Sequence, residues 1–448
     1  MTRKYDIIII GGGNAGFGVS AVASEAGKSI AFIEKRDFGG TCPNRGCTPK
    51  KFLVAAARAL HEIELAPVHG IDVGPATLDW AKLIRREKSM IADIPDAMAG
   101  VAEKRGDVYR GDARFTGPNT VVVDGQTLEG DNIVIATGST PRPLPIDGAE
   151  YLITSDEVLS EPDRPGEVVF IGGGVIAMEF SHVYARAGTK VTILEAMPEL
   201  LPHMEEGAVA ALRRESERLG IAVRTGVRVT AVRRAGDRLS VAYSIDGEEH
   251  EVRADRVING AGRVANVQHL DLAAANVTHD GFAIAVDDHL RSVSNPSVWI
   301  CGDALVGTPQ LSPVATYEGR LVGRNIVSGP SATADYGAVP SGVYTVPALS
   351  AVGLTERAAR EKGLDIRVAE SDMTGWFSGK AYAETVAYAK VIVDRTTDRI
   401  VGAHMVGHSG EELVHLFAMA MKHGIAASDL KDDFFAYPTF SSDVKNMV

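Results

Sequence analysis

The sequence predicts an α/β chain made of two strand–turn–helix–strand units that bind dinucleotides, followed by a smaller α+β domain. Three observations predict it. A glycine-rich turn follows an apolar strand twice, 161 residues apart. An acidic residue closes the next strand at the same offset in both copies. The last part of the chain has β-rich stretches but no such turn. A length of 448 residues agrees with about three domains.

In the first unit, strand Ile7–Ile10 runs into Gly11-Gly12-Gly13-Asn14-Ala15-Gly16 and a helix rich in small residues. A second strand, Ser29–Ile33, ends in Glu34. The second unit repeats this with strand Glu167–Ile171, turn Gly172-Gly173-Gly174-Val175-Ile176-Ala177 and strand Lys190–Leu194 ending in Glu195. Each acid lies 23 positions after the first glycine of its turn. The spacing has a physical reason. The first glycine makes the turn, the middle one lets backbone approach a pyrophosphate, and the third position keeps helix close to strand. The helix N-terminus then faces the phosphates, and the acid accepts from ribose hydroxyls. Two Rossmann-like units therefore bind two dinucleotides.

The segment Ser328–Pro340 reads as a linker. Beyond it come a helix at Thr355–Lys362, strands at Ala387–Val393 and Ile400–Val406, and a helix at Glu411–His423. Composition is globular, with 45% hydrophobic and 23% charged residues. The formal net charge of −12 argues against nucleic acid and anionic membrane as partners, because both select basic surface. No apolar run is long enough for a signal peptide or a membrane span, so the expected location is cytoplasmic. Three cysteines exclude a disulfide scaffold.

Cys42 and Cys47 nevertheless lie five positions apart in Gly39-Gly40-Thr41-Cys42-Pro43-Asn44-Arg45-Gly46-Cys47-Thr48-Pro49-Lys50-Lys51, just before a helix expected over Phe52–Leu65. A helix N-terminus and adjacent lysines favour thiolate at Cys47. Such a pair can close a small, reducible disulfide beside a cofactor; a pair of buried structural thiols is the plainer alternative. Cys301 reads as a buried bystander.

That motif, together with Ala136-Thr137-Gly138-Ser139, Gly262-Arg263-x-x-Asn266, Gly302-Asp303 and Val352-Gly353-Leu354-Thr355-Glu356, resembles the pyridine nucleotide–disulfide oxidoreductases over essentially the whole chain. The resemblance implies FAD on the first unit, NADH or NADPH on the second, and a homodimer with a shared active site. The domains would be 1–150 with 267–335 for FAD, 151–266 for the nicotinamide and 336–448 for dimerisation. It implies that Cys47 is the flavin-proximal sulfur, that Cys42 exchanges with the acceptor, and that Lys51 pairs with Glu179. Gly11, Gly13, Gly16, Glu34, Gly40, Thr41, Thr137, Gly138, Gly262, Asp303 and Ala315 would line the FAD side, with Glu34 on the ribose and Asp303 on the ribityl chain. Gly172, Gly174 and Glu195 would hold the nicotinamide coenzyme.

The family's C-terminal His-Pro-Thr motif, with its glutamate five residues on, is altered here to Tyr437-Pro438-Thr439, with Ser442 at the glutamate position. A phenol is a poorer proton shuttle at neutral pH than an imidazole. Tyr437 would donate a hydrogen bond or hold substrate, with Asp443 orienting it, or would simply pack at the dimer interface. The chain ends without the cysteine pair that mercuric reductase uses there. The acceptor is thus a disulfide or another thiol-reactive small molecule. The alternatives are a metal or inorganic electrophile, dithiol oxidation in reverse, and a flavin-binding carrier subunit with vestigial activity. Glu195, with no nearby Arg or Lys, favours NADH, whereas Ala177 at the third turn position points the other way. No resident metal is expected at His404, His408, Glu411 and His415, because His404 lies in strand-like sequence, where its four-residue spacing from His408 gives no shared helical face. Glu205-Glu206 and Arg213-Arg214-Glu215 read as solvated helix faces, and the methionines and scattered aromatics as core.

Overall fold

The computed structural model describes residues 2–448, which form two compact units. The first comprises residues 2–51, Arg86–Arg142 and Arg263–Tyr336. Its sheet runs Asp107–Arg110, Ile30–Glu34, Arg3–Ile10, Gln126–Ile135, Thr120–Val123, Ala113–Gly117, and Val298–Ile300 joins beside Gln126–Ile135. The first four strands pair in parallel. Ile7, Ile8, Ile9 and Ile10 are all buried, which is why this strand is continuously apolar rather than alternating: both faces of a parallel sheet are covered. Helix Asn14–Glu25 packs on helix Ser312–Ser328 through glycines. A Cβ on Gly319 would lie 2.1 Å from Ala15 O, and one on Gly18 2.6 Å from Thr316 O. The glycine surplus in this unit therefore includes a helix–helix contact as well as phosphate turns.

The second unit comprises Phe52–Arg85, Pro143–Gly262 and Gly337–Val448. A parallel sheet of Ala222–Arg224, Lys190–Leu194, Glu167–Ile171 and Arg256–Asn259 repeats the architecture of the first. An antiparallel meander, Arg228–Ala235, Arg238–Ile245 and Glu248–Ala254, follows within it. Residues 52–85, placed by sequence position beside the first glycine turn, belong to this second unit. Trp80 stacks on Tyr184 at 5.3 Å between ring centroids. The C-terminal part is a five-stranded antiparallel sheet, ordered Ser341–Val343, Leu349–Gly353, Arg399–Val406, Tyr388–Asp394, Ile366–Asp372, with helix Gly410–His423 against it.

Two expectations about charge fail in part here. Glu205 is not solvated: its carboxylate accepts from Lys390 Nζ at 2.9 Å and from the Glu356 amide at 2.9 Å, and it is buried. Glu215 is likewise buried, bound by Arg218 through two nitrogens at 2.8 Å. Glu205 finds Lys390 in the C-terminal sheet, against which helix Glu206–Arg218 lies, whereas Glu215 is held by Arg218 of its own helix. Glu206 and Arg214 are exposed as expected. The aromatics also depart from a uniform core assignment. Phe377, Tyr382, Phe434 and Tyr437 are exposed large side chains of the C-terminal domain.

Candidate active site

The first glycine turn is shaped by contacts that exclude side chains. Gly11 has φ +114°, and a Cβ there would lie 2.2 Å from Ala136 O; a Cβ on Gly16 would lie 2.2 Å from Gly11 O. Gly13 meets only Gly40 Cα, at 3.7 Å, and it starts helix Asn14–Glu25 without any capping side chain. The amides of that first turn are thus left for a ligand. Glu34 closes the turn, with Oε2 accepting from Gly12 N and Oε1 from Arg36 N, both at 2.7 Å.

The segment that carries Cys42 and Cys47 is bound to this turn. Gly39 N donates to Gly12 O at 2.8 Å, and a Cβ on Gly40 would lie 2.8 Å from Gly13 Cα. Asn44 Nδ2 donates to Phe38 O and Gly40 O at 2.9 and 3.0 Å, pinning the short helix Thr41–Arg45 that carries Thr41 and Cys42. Gly46 separates this helix from the next. A Cβ there would press on Thr41 O at 3.0 Å and on Cys42 Cα at 3.3 Å. The long helix runs Cys47–Leu65, starting five residues before the expected Phe52, so Cys47 is its first residue and Lys51 lies in its second turn. Cys42 and Cys47 both carry thiols. A hydrogen bond with the Cys47 thiol, and then burial, push the Cys42 thiol up from its ordinary value, whereas a hydrogen bond with the Ser312 hydroxyl acts in the opposite direction. Cys47 Sγ itself lies 3.6 Å from Ser312 Oγ.

Thr137, Gly138 and Asp303 come together around Ser139. Ser139 Oγ donates to Asp303 Oδ2 at 3.1 Å and accepts from Arg263 Nε at 2.8 Å. The Asn266 amide donates to Gly138 O at 2.9 Å. Burial pushes the Asp303 carboxyl up. Thr137 Oγ1 is buried with no partner among the described residues, an orphaned hydroxyl of the kind a bound cofactor satisfies. Together with the uncapped helix and the open backbone at Gly13, it fits FAD.

Two residues of this site went unnoticed in the sequence. Glu318 is fully buried; its Oε2 accepts from Gly302 N and its Oε1 from Tyr336 Oη, each at 2.7 Å. It holds the turn, with φ +68° at Gly302, from which Asp303 projects. Ala315 packs one turn earlier on the same helix, 3.4 Å from where a Gly302 Cβ would sit. Ser312 is the other, the first residue of that helix. Neither carries a local signal beyond its place three residues on either side of Ala315.

In the second unit the turn is built in the same way. Gly172 has φ +103°, with a Cβ position 2.5 Å from Gly260 backbone, and Gly174 opens helix Val175–Arg186 uncapped. Glu195 accepts from Gly173 N and, at 2.7 Å, from Met197 N. Ala177 faces Gly260, where a Cβ would lie 3.0 Å from the alanine methyl. Its extra carbon is accommodated by a glycine on the neighbouring strand end, so it is a packing feature. Gly262 has φ +92°. Glu179 is buried and accepts from Tyr344 N at 2.8 Å.

At the C-terminus, Tyr437 is 76% exposed and its ring lies beside Phe377, with centroids 6.4 Å apart. Asp443 does not orient it. Asp443 Oδ2 is 3.0 Å from His408 Nε2, and His408 Nδ1 is 2.7 Å from Glu384 Oε2. Ser442 is engaged by the cap of helix Phe440–Met447, donating to Thr439 O at 2.6 Å and bound by Thr439 N and Oγ1. His404 Nε2 donates to Leu354 O at 2.9 Å. No helix among the described residues is long and apolar enough to cross a membrane.

Comparison with known proteins completes the assignment. Residues 5–319 match the family described as pyridine nucleotide-disulphide oxidoreductase, and residues 339–448 match its dimerisation domain, which supports a homodimer. The chain is 31% identical over 441 residues to glutathione reductase of Burkholderia cepacia, covering 98% of this chain and 97% of that protein. It is 29% identical over 446 residues to mercuric reductase of Staphylococcus aureus, covering 98% of this chain and 81% of that one. The HOCl-induced flavoprotein disulfide reductase RclA of Escherichia coli superposes with a TM-score of 0.87 at 27% identity over 99% of both chains. A Cu(II) complex of a cysteine-to-serine variant of RclA superposes at 0.88 with 26% identity, over 100% of this chain and 99% of that one. These relatives are enzymes, which sets aside the carrier alternative. The chain belongs to the pyridine nucleotide-disulphide oxidoreductases, the FAD- and NAD(P)H-dependent enzymes whose disulfide redox centre the Cys42 motif resembles.

Proposed function

We propose that this enzyme passes electrons from NADH to Cys42–Cys47 and from that pair to a thiol-reactive electrophile whose leaving group needs no proton. FAD, when bound, supplies the two-electron relay between the nicotinamide hydride and the disulfide. Glu34 would hold its ribose, the uncapped amides after Gly13 its pyrophosphate, and Asp303 its ribityl chain. Glu195, both of whose oxygens are already engaged by backbone amides, would take the free ribose of NADH and repel a 2′-phosphate.

The acceptor class rests on one observation. Ser442 and Asp443 are engaged by Thr439 and His408, so neither of them supports Tyr437 as a proton shuttle within this chain. A disulfide acceptor needs a proton for each departing thiolate. A thiophilic metal ion does not: two Cu(II) ions leave as Cu(I), the S–S bond closes, and the remaining thiol proton goes to solvent. The Cu(II) complex of RclA makes copper the first ion to test.

Enzyme reduced anaerobically with NADH is mixed in single turnover with Cu(II), Hg(II), glutathione disulfide or lipoamide. Reoxidation by a metal ion is expected to exceed that by either disulfide by about 100-fold, the scale of a missing general acid. Faster reoxidation by a disulfide overturns the proposal.

A further inference from the structure

We propose that Ser312 is the positioning residue of the Cys47 sulfur, its hydroxyl donating to the thiolate formed when the disulfide opens. The inference rests on the reading of Cys42–Cys47 as the redox pair. The two residues are 265 positions apart in sequence, yet Sγ and Oγ approach to 3.6 Å, within hydrogen-bond range for the large sulfur atom.

The backbone around Ser312 adds to the effect. It is the first residue of the 17-residue helix Ser312–Ser328, whose N-cap, Leu311, has no capping side chain, and the next residue, Pro313, has no N–H. Cys47 is itself the first residue of the 19-residue helix Cys47–Leu65. Two helix N-termini therefore converge on one sulfur, one through its own backbone and one through the serine hydroxyl. Both ends carry partial positive charge that favours an anion.

The consequence is a choice between two sulfurs. Opening the disulfide takes two electrons and one proton: the S–S bond breaks, one sulfur keeps the negative charge and the other becomes a thiol. Ser312 also hydrogen-bonds Cys42 and lowers its thiol, but the hydrogen bond with Cys47 and burial outweigh this and keep the proton on Cys42. The Ser312 O–H places the negative charge on Cys47, and Cys42 then holds the proton until it meets the acceptor. Hydrogen bonds to charged groups are stronger than neutral ones, so the hydroxyl contributes more once the disulfide has opened than before.

Holoenzymes of the wild type, Ser312→Ala, Ser312→Val and Ser312→Thr are reduced anaerobically with NADH. Two quantities are followed against pH: the long-wavelength thiolate–flavin absorbance, and iodoacetamide labelling of Cys47 resolved by peptide mass spectrometry. Ser312→Ala and Ser312→Val are expected to raise both midpoints by about one pH unit, a tenfold loss of thiolate at fixed pH. Ser312→Thr, which restores the hydroxyl in a side chain the shape of valine, is expected to keep the wild-type midpoints. Midpoints for Ala and Val within about 0.3 pH unit of wild type, or a Thr variant that shifts as far as Val, overturn the role of Ser312. A wild type that takes up no electrons beyond the flavin's own two, and exposes no new thiol, instead overturns the redox-pair reading.

Discussion

Asp443 Oδ2 lies 3.0 Å from His408 Nε2, and the opposite ring nitrogen lies 2.7 Å from Glu384 Oε2. A fully buried imidazole thus bridges two carboxylates inside the C-terminal domain. Phe440, the first residue of the last helix, packs edge-on to the ring at 4.7 Å. The acid next to the expected glutamate position is therefore part of the domain's interior.

Removing the His408 imidazole leaves the buried Asp443 without that partner and Glu384 with only the backbone amide of residue 408. His408→Ala is expected to destabilise the protein by about 2 kcal/mol, the cost typical of leaving a buried hydrogen-bonding group unsatisfied. Calorimetry on the holoenzyme checks this. An unchanged Tm would mean that the bridge carries little.

Tyr437, exposed beside Phe377, makes its own prediction. A general acid contributes about 100-fold or more, so Tyr437→Phe is expected to cost under about threefold in acceptor turnover. Conversely, Tyr437→His combined with Ser442→Glu is expected to raise glutathione disulfide turnover by at least about tenfold. Steady-state assays of both variants decide it. A hundredfold loss in the phenylalanine variant would restore Tyr437 as an acid.

Coenzyme choice follows from the carboxylate at the end of strand Lys190–Leu194. Like charges a few ångströms apart repel by several kcal/mol near a protein surface. NADH is therefore expected to reduce the flavin at least about tenfold faster than NADPH at equal concentration. Glu195→Gln, which keeps an oxygen for the Gly173 amide, should narrow the ratio. Stopped-flow flavin bleaching measures it, and an NADPH preference in the wild type refutes the argument.

A second buried histidine sets a pH dependence. His182 is fully buried, with Nδ1 at Val346 O and Nε2 at Ser216 Oγ. Burial pushes its pKa down to about 3. Because the folded protein holds it neutral, its stabilising contribution is present above the unfolded value near 6.5 and is lost as pH falls from there towards 3. The stability gap between wild type and His182→Gln should accordingly shrink below pH 6.5, by up to about 1.4 kcal/mol per pH unit. Denaturant titrations at pH 7.5 and 5 test the sign.

Glu318 should behave in the opposite sense. Burial pushes its carboxyl up, so the folded protein loses stability as pH rises from the ordinary carboxylate value through the raised one. Glu318→Gln retains an acceptor for Gly302 N and a partner for Tyr336. Its Tm relative to wild type is expected to rise from pH 4.5 to pH 8, and a flat difference counts against a charged Glu318. FAD retention on gel filtration reports separately whether the Gly302–Asp303 turn has moved.

By itself the sequence determined the two glycine turns, their closing acids, the cysteine pair and two of the five C-terminal strands. Each depends on short-range rules: a positive φ, a 3.6- or 2-residue period, or a helix start beside a thiol. Glu34 and Glu195 were legible because each bonds a turn 22 residues away within one βαβ unit. Only the tertiary structure decided that Glu205 pairs with Lys390, that Asp443 belongs to His408, and that Ser312 and Glu318 reach Cys47 and Gly302. Those partners lie between 16 and 265 residues apart and follow no period. A charge on a helix looks solvated until the element packed against it is known, because burial is a property of two surfaces and a local pattern describes only one.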